Sequence, residues 1–145
     1  MSSKGSAVRT EIDWNLLRDN ANDAMTRAYS PYSGFPVGAA ALVDDGRVVT
    51  GCNVENVSYG LGVCAEVTLA GSLHLSGGGR LIAVSCVDAR GVVLMPCGRC
   101  RQVLLEHGGP ELLVDHRDGP RTLGALLPDS FGPQDLDAVR DAERP

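Results

Sequence analysis

Apolar residues recur at three- and four-residue steps from Trp14 onward. Leu17, Ala21, Ala24, Met25 and Ala28 continue one stripe, the pattern of a helix that buries a single face. Asp13 stands where an N-cap belongs, Pro31 stops the pattern, and residues 30–34 read as loop. Residues 36–43 and 47–53 have strand character, and Asp44, Asp45 and Gly46 between them predict a hairpin turn. Residues 54–63, with Gly60 and Gly62, read as irregular chain. A second helix is predicted over residues 64–75, closed by Gly77, Gly78 and Gly79.

Residues 81–87 form a continuous apolar run, as a buried strand does, and residues 88–95 are loop. A third helix is predicted from Pro96 or Cys97 to the glycines at 108 and 109. Residues 112–114 make a short buried strand, and Thr122 caps a short helix ending near Pro128. A loose tail is expected over residues 1–10 and a frayed, charged one over 136–145. The order helix, hairpin, helix, strand, helix, strand, helix predicts a single α/β domain across residues 1–145. Its expected form is three layers (α/β/α), with a mixed sheet of about five strands and helices on both faces.

Composition narrows the chemistry. Of 145 residues, 43% are hydrophobic but only 4% aromatic, so the core must be built from Ala, Val and Leu. The net charge is −5 and the thirteen Lys and Arg are scattered, which argues against a polynucleotide partner. The polar N-terminus and the lack of a run long enough to span a bilayer predict a cytoplasmic protein without membrane contact. In a reducing compartment, the closely spaced members among five cysteines read as metal or catalytic sites before disulfides.

The sharpest signal is Cys64-Ala65-Glu66 together with Pro96-Cys97-Gly98-Arg99-Cys100. Two predicted helix starts, one with Cys64 and one with Cys97 and Cys100, could converge three thiolates on a zinc ion. Helix N-termini favour thiolate over thiol. Three protein ligands leave a position open for water, as catalytic zinc sites do. Glu66, on the same turn as Cys64, can reach that water as a proton carrier. A redox pair, or a closed structural site completed by Cys52 or Cys86, are the alternatives. Strand alternation sets Cys52 opposite Asn53, and Cys86 lies in an apolar run, which weighs against both as ligands. His74, His107 and His116 fit no ligand spacing.

These motifs resemble the zinc site of the cytidine deaminase family and follow the general zinc-deaminase pattern. The resemblance extends to residues 29–40 (YSPYSGFPVGAA), 51–56 (GCNVEN), 101–105 (RQVLL) and 127–132 (LPDSFG). It implies a cytidine deaminase-like fold and one Zn2+ per subunit on Cys64, Cys97 and Cys100, with Glu66 as general acid and base. The implied reaction is hydrolytic deamination of cytidine and deoxycytidine to uridine and deoxyuridine with release of ammonia, a step of pyrimidine salvage. Its partners would be a small pyrimidine nucleoside and water, and its assembly a homotetramer. The resemblance assigns Asn53 and Glu55 to the ribose, Phe35 to the pyrimidine ring and Tyr59 to the border of the site. The Ala65 backbone N–H would hold the substrate carbonyl, and Phe131 would reach a neighbouring subunit's site.

One position departs from the three-cysteine pattern: Val67 follows Glu66 where Arg is common. Zinc on three thiolates carries a net negative formal charge, which should weaken it as a Lewis acid. Helix dipoles or Arg99 are the expected offsets. An antibiotic-inactivating deaminase such as blasticidin S deaminase also lacks that Arg, but the Asn53–Glu55 pair and the Phe35 segment favour a nucleoside. A polynucleotide-editing deaminase and a non-catalytic zinc module are the remaining rivals.

Overall fold

Asp13 does cap the first helix: its carboxylate accepts from the Leu16 backbone N–H at 3.0 Å. A computed structural model describes residues 11–145, so the expected loose tail over 1–10 lies outside the described residues. Helix α1 spans Trp14–Met25 and ends short of Pro31, because Arg27 and Ala28 close tighter turns onto Ala24 and Met25. The hairpin follows as β1 (Gly38–Val43) and β2 (Val48–Cys52), and one 3₁₀ turn interrupts the irregular stretch at Tyr59–Leu61. Then come α2 (Ala65–Leu75), β3 (Leu81–Val87), α3 (Gly98–Gly108), β4 (Leu113–Val114), β5 (Arg121–Thr122), α4 (Leu123–Leu126) and α5 (Pro133–Ala142).

The five strands form one mixed sheet in the order β2-β1-β3-β4-β5. β1 is antiparallel to β2 and β3; β3 and β4 run parallel across α3; β5 returns antiparallel. Strand alternation explains the layers. Ala39, Ala41 and Val43 point to one face and meet Leu69 and Leu73 of α2 and Leu104 of α3. Ala40, between them, points to the other face and meets Leu17 and Ala21 of α1. Helices therefore cover both faces, as the element order predicts.

Small residues let the layers approach closely. A Cβ on Gly51 of β2 would run into the Ala65 carbonyl and the Leu69 backbone N–H, so only glycine permits this contact with the first turn of α2. Thr68 of α2 locks the same contact. Its hydroxyl accepts from the Cys52 N–H at 2.9 Å and lies 2.7 Å from the Cys52 carbonyl oxygen. The strand end and the helix start that carries Cys64 and Glu66 are thus one rigid unit.

Two expectations need correction. Residues 133–142 are helical, although a frayed tail was expected over 136–145. Pro133 at the first helical position and Asp135, which accepts from the Gly132 N–H at 2.8 Å, start α5 despite its charged sequence. Strand β5 was not anticipated, since two residues carry no period. Thr122 does cap a short helix, accepting from the Ala125 N–H at 3.3 Å.

Candidate active site

Cys64 and Cys97 each occupy the N-cap of a helix, α2 and α3, with extended backbone at the cap. Cys100 lies one turn into α3 and is buried. The three Sγ atoms lie within 4.8 Å of one another, and those of Cys64 and Cys97 are 3.9 Å apart. Thiolates about 2.3 Å from a tetrahedral zinc stand roughly 3.8 Å from each other, so the cluster has the size zinc requires. No other His, Cys, Asp or Glu joins it among the described residues, which leaves out Cys52 and Cys86. All five cysteines are free thiols.

The charges agree with this fit. Burial works against the Cys97 thiolate, but hydrogen-bond donors outweigh it, first the Cys100 backbone N–H and thiol, then Cys64 and the Arg99 backbone N–H. Its pKa is lowered. Cys64 is pushed up by burial and then by the neighbouring Cys97 charge, and Cys100 by burial and the Glu66 charge. Three thiols this close ionise together only with a cation between them, and Zn2+ meets that need. Arg99 contributes its backbone N–H; its side chain is exposed. Of the two offsets expected for Val67, the helix starts are the one the geometry carries.

Glu66 follows Ala65 in the first turn of α2 and is only 4% exposed. Its Oε2 accepts from the Cys86 thiol at 3.5 Å, so Cys86 is both a core residue and the neighbour of this carboxylate. Burial and the Glu66 charge push the Cys86 thiol well up, which keeps it a neutral donor. A cavity of ≈ 460 Å³ opens above, walled by Phe35, Asn53, Ala65, Glu66, Met95 and Cys97 among others. That volume is in the range of small-molecule sites.

Asn53 shapes the cavity as well as lining it. Its Oδ1 accepts from the Val37 N–H at 2.8 Å, and its Nδ2 donates to the Phe35 carbonyl at 2.9 Å. One N–H and one lone pair remain for a ligand. Glu55 and Tyr59 line an adjoining hollow of ≈ 240 Å³ with Tyr32 and Ser33. Glu55 Oε1 accepts from the Tyr32 and Ser33 N–H groups, each at 3.0 Å, and Oε2 from the Ser33 hydroxyl. Asn53 and Glu55 therefore both hold the segment that presents Phe35. Phe131 is not in the cavity wall; it is 61% exposed, and its carbonyl accepts from Gln102 Nε2 at 2.8 Å.

Sequence reasoning missed Ser33, which borders both hollows, and Leu94 and Met95, which wall the cavity. Their position immediately before Pro96 and Cys97 was the available signal for the last two.

Comparison with known proteins agrees with the geometry. Residues 14–115 match the cytidine and deoxycytidylate deaminase zinc-binding region. The chain is 68% identical over 130 residues to a cytidine deaminase of Mycobacterium tuberculosis, covering 90% of this chain and 98% of that protein. It is 37% identical to a cytidine deaminase of Halalkalibacterium halodurans over 130 residues, covering 86% of this chain and 98% of that protein. The crystal structure of the M. tuberculosis cytidine deaminase superposes with a TM-score of 0.83 at 70% identity, covering 84% of this chain and 99% of that one. For that of Mycobacterium leprae the TM-score is 0.81 at 54% identity, covering 82% and 100%. The three-cysteine cluster, the buried glutamate beside it and this similarity over most of the chain place the protein in the cytidine and deoxycytidylate deaminase family.

Proposed function

We infer that this chain is a zinc-dependent hydrolase that deaminates cytidine and deoxycytidine to uridine and deoxyuridine, releasing ammonia. The observation that carries this reading is the buried Glu66 carboxylate beside three convergent thiols at the wall of a nucleoside-sized cavity. Cys64, Cys97 and Cys100 would hold one Zn2+. When bound, it supplies Lewis acidity that lets a water lose its proton near neutral pH.

The remaining roles fall to this chain's own residues. The Glu66 carboxylate accepts the proton of the attacking water and delivers it to the ring nitrogen N3. A second transfer through the same carboxylate protonates the amino group, which leaves C4 as ammonia while the oxygen from water stays as the new carbonyl. The Ala65 N–H, unsatisfied at the helix start, is offered to the substrate carbonyl. Phe35 lies along the pyrimidine ring, the free N–H and lone pair of Asn53 meet the ribose, and Glu55 and Tyr59 bound its far side.

Exposed apolar side chains at Val57, Tyr59, Leu61 and Phe131 support association of copies, with a homotetramer as the proposed assembly and Phe131 reaching the neighbour's site. Five free thiols support a reducing, cytoplasmic location and a role in pyrimidine salvage. No described helix is long and apolar enough to cross a membrane.

The test is the conversion of cytidine to uridine, followed by ultraviolet absorbance and ammonia release, with Glu66→Ala beside the wild type and zinc measured in both. Turnover in the wild type, reduced by about 10²-fold or more in the variant while zinc stays bound, is the expected result. A folded, zinc-loaded wild type with no turnover of either nucleoside would overturn the reading.

A further inference from the structure

The two helices that begin at the cysteines also end side by side. His74 lies in the last turn of α2 and His107 in the last turn of α3. His74 Nε2 and His107 Nδ1 are 3.2 Å apart, with the rings edge to face at 63°. Both stand ten and seven residues along their helices from the nearest cysteine, outside the cavity wall. Deamination uses neither.

We propose that His74 and His107 form a second cation site, a two-imidazole clamp for a divalent transition metal such as Zn2+ that ties the C-terminal ends of α2 and α3. Spacing is the first support. Imidazole nitrogens about 2.0–2.1 Å from a tetrahedral zinc stand roughly 3.3 Å apart, close to the spacing already present. A shared cation requires the rings to turn so that both lone pairs face one point, and His74 is exposed. Water completes the coordination.

The local field favours a cation. Two helix C-termini carry partial negative charge, and both end here. Glu106, adjacent to His107, adds a carboxylate near enough to act on that ring. The neutral imidazole is the form that ligates metal. One ring now donates its N–H to the other. On binding, that proton moves to the ring's second nitrogen through water, so two neutral imidazoles take up the cation without net proton release. Imidazole donors suit Zn2+, Ni2+ and Cu2+.

The experiment uses the untagged full chain already carrying zinc at its cysteines. It is titrated with Zn2+ by calorimetry above the imidazole range, and bound metal is counted after gel filtration. A second equivalent per chain is expected in the wild type and in His116→Ala, and its loss in His74→Ala and in His107→Gln. Deamination rates should be unchanged in every variant, which also reports that each is folded. Uptake that stops at one zinc per chain, or a second equivalent that survives both substitutions, would overturn the proposal. Neither result bears on deamination, because the cysteine site stays loaded throughout.

Discussion

Arg101 Nε donates to the carbonyl oxygen of Pro96 at 2.8 Å, fixing the residue that immediately precedes Cys97. The same guanidinium donates through Nη1 to the Leu126 carbonyl, also at 2.8 Å. One planar fork thus pins the zinc loop to the end of α4. Lysine, a single point donor, cannot span both carbonyls. Arg101→Ala is expected to lose about 1–3 kcal/mol of stability, because two charged hydrogen bonds go. Zinc should also pass faster to a chelator, since Cys97 is held less firmly. Thermal unfolding and zinc release measure the two effects. Wild-type release kinetics would show that the fork does not position the loop.

Two glycines predict opposite outcomes from the same substitution. A methyl on Gly51 would collide with the backbone of Ala65 and Leu69, forcing β2 and α2 apart. Gly51→Ala should cost about 1–3 kcal/mol or more. It should also lower kcat, because the displaced turn carries Cys64 and Glu66. Gly71, in the middle of α2, has open space where a Cβ would sit. Gly71→Ala should therefore stabilise by roughly 0.5–1 kcal/mol with activity intact. Equal effects of the two changes on unfolding temperature would contradict this account.

The contrast between these glycines also marks what the sequence could and could not disclose. Helical periodicity located α1, the turn residues 44–46 between two strand-like runs located the hairpin, and a continuous apolar run located β3. The cysteines and Glu66 were legible because zinc chemistry demands few residue types at fixed spacing, and the helix starts needed to converge them were visible in the chain. Ser33 and Met95 were not, because they reach the cavity only through the folding of loops, and no local pattern encodes that. The helix at α5 was obscured by its charge: periodic burial is absent there, and only Pro133 and Asp135 signalled its start. Likewise, Asn53 and Glu55 were assigned to a ligand, whereas their bonds to the backbone of 32–37 appear only when that loop is folded against them.

Glu55 gives a pH prediction. The Ser33 hydroxyl, then the Ser33 and Tyr32 backbone N–H groups, favour its charged form and lower its pKa from the ordinary carboxylate value. A depressed folded-state pKa contributes stability that is fully present above the unfolded value. That contribution fades as pH falls through the lowered one. The loop bearing Phe35 should therefore stay ordered through mildly acid solution and loosen only below the usual carboxylate range. Ser33→Ala should move the Glu55 titration up toward its ordinary value, as followed by carboxyl carbon NMR. An unmoved titration would mean the hydroxyl does not hold the carboxylate.

Arg99 separates side-chain from backbone electrostatics at the zinc site. Three thiolates leave a net negative formal charge around the metal, and Val67 supplies no cation to offset it. Cys97 is favoured as thiolate by N–H groups at the start of α3, among them that of Arg99, while the Arg99 guanidinium is exposed. Arg99→Ala keeps the N–H and should leave both zinc retention and the pH–rate profile as they are in the wild type. Arg99→Pro removes that N–H at a first-turn position where proline's fixed φ suits a helix. It should weaken zinc retention and raise the Cys97 pKa, as read by thiol alkylation of the metal-free protein. If alanine shifts the profile and proline does not, the guanidinium is the offset and the helix start is not.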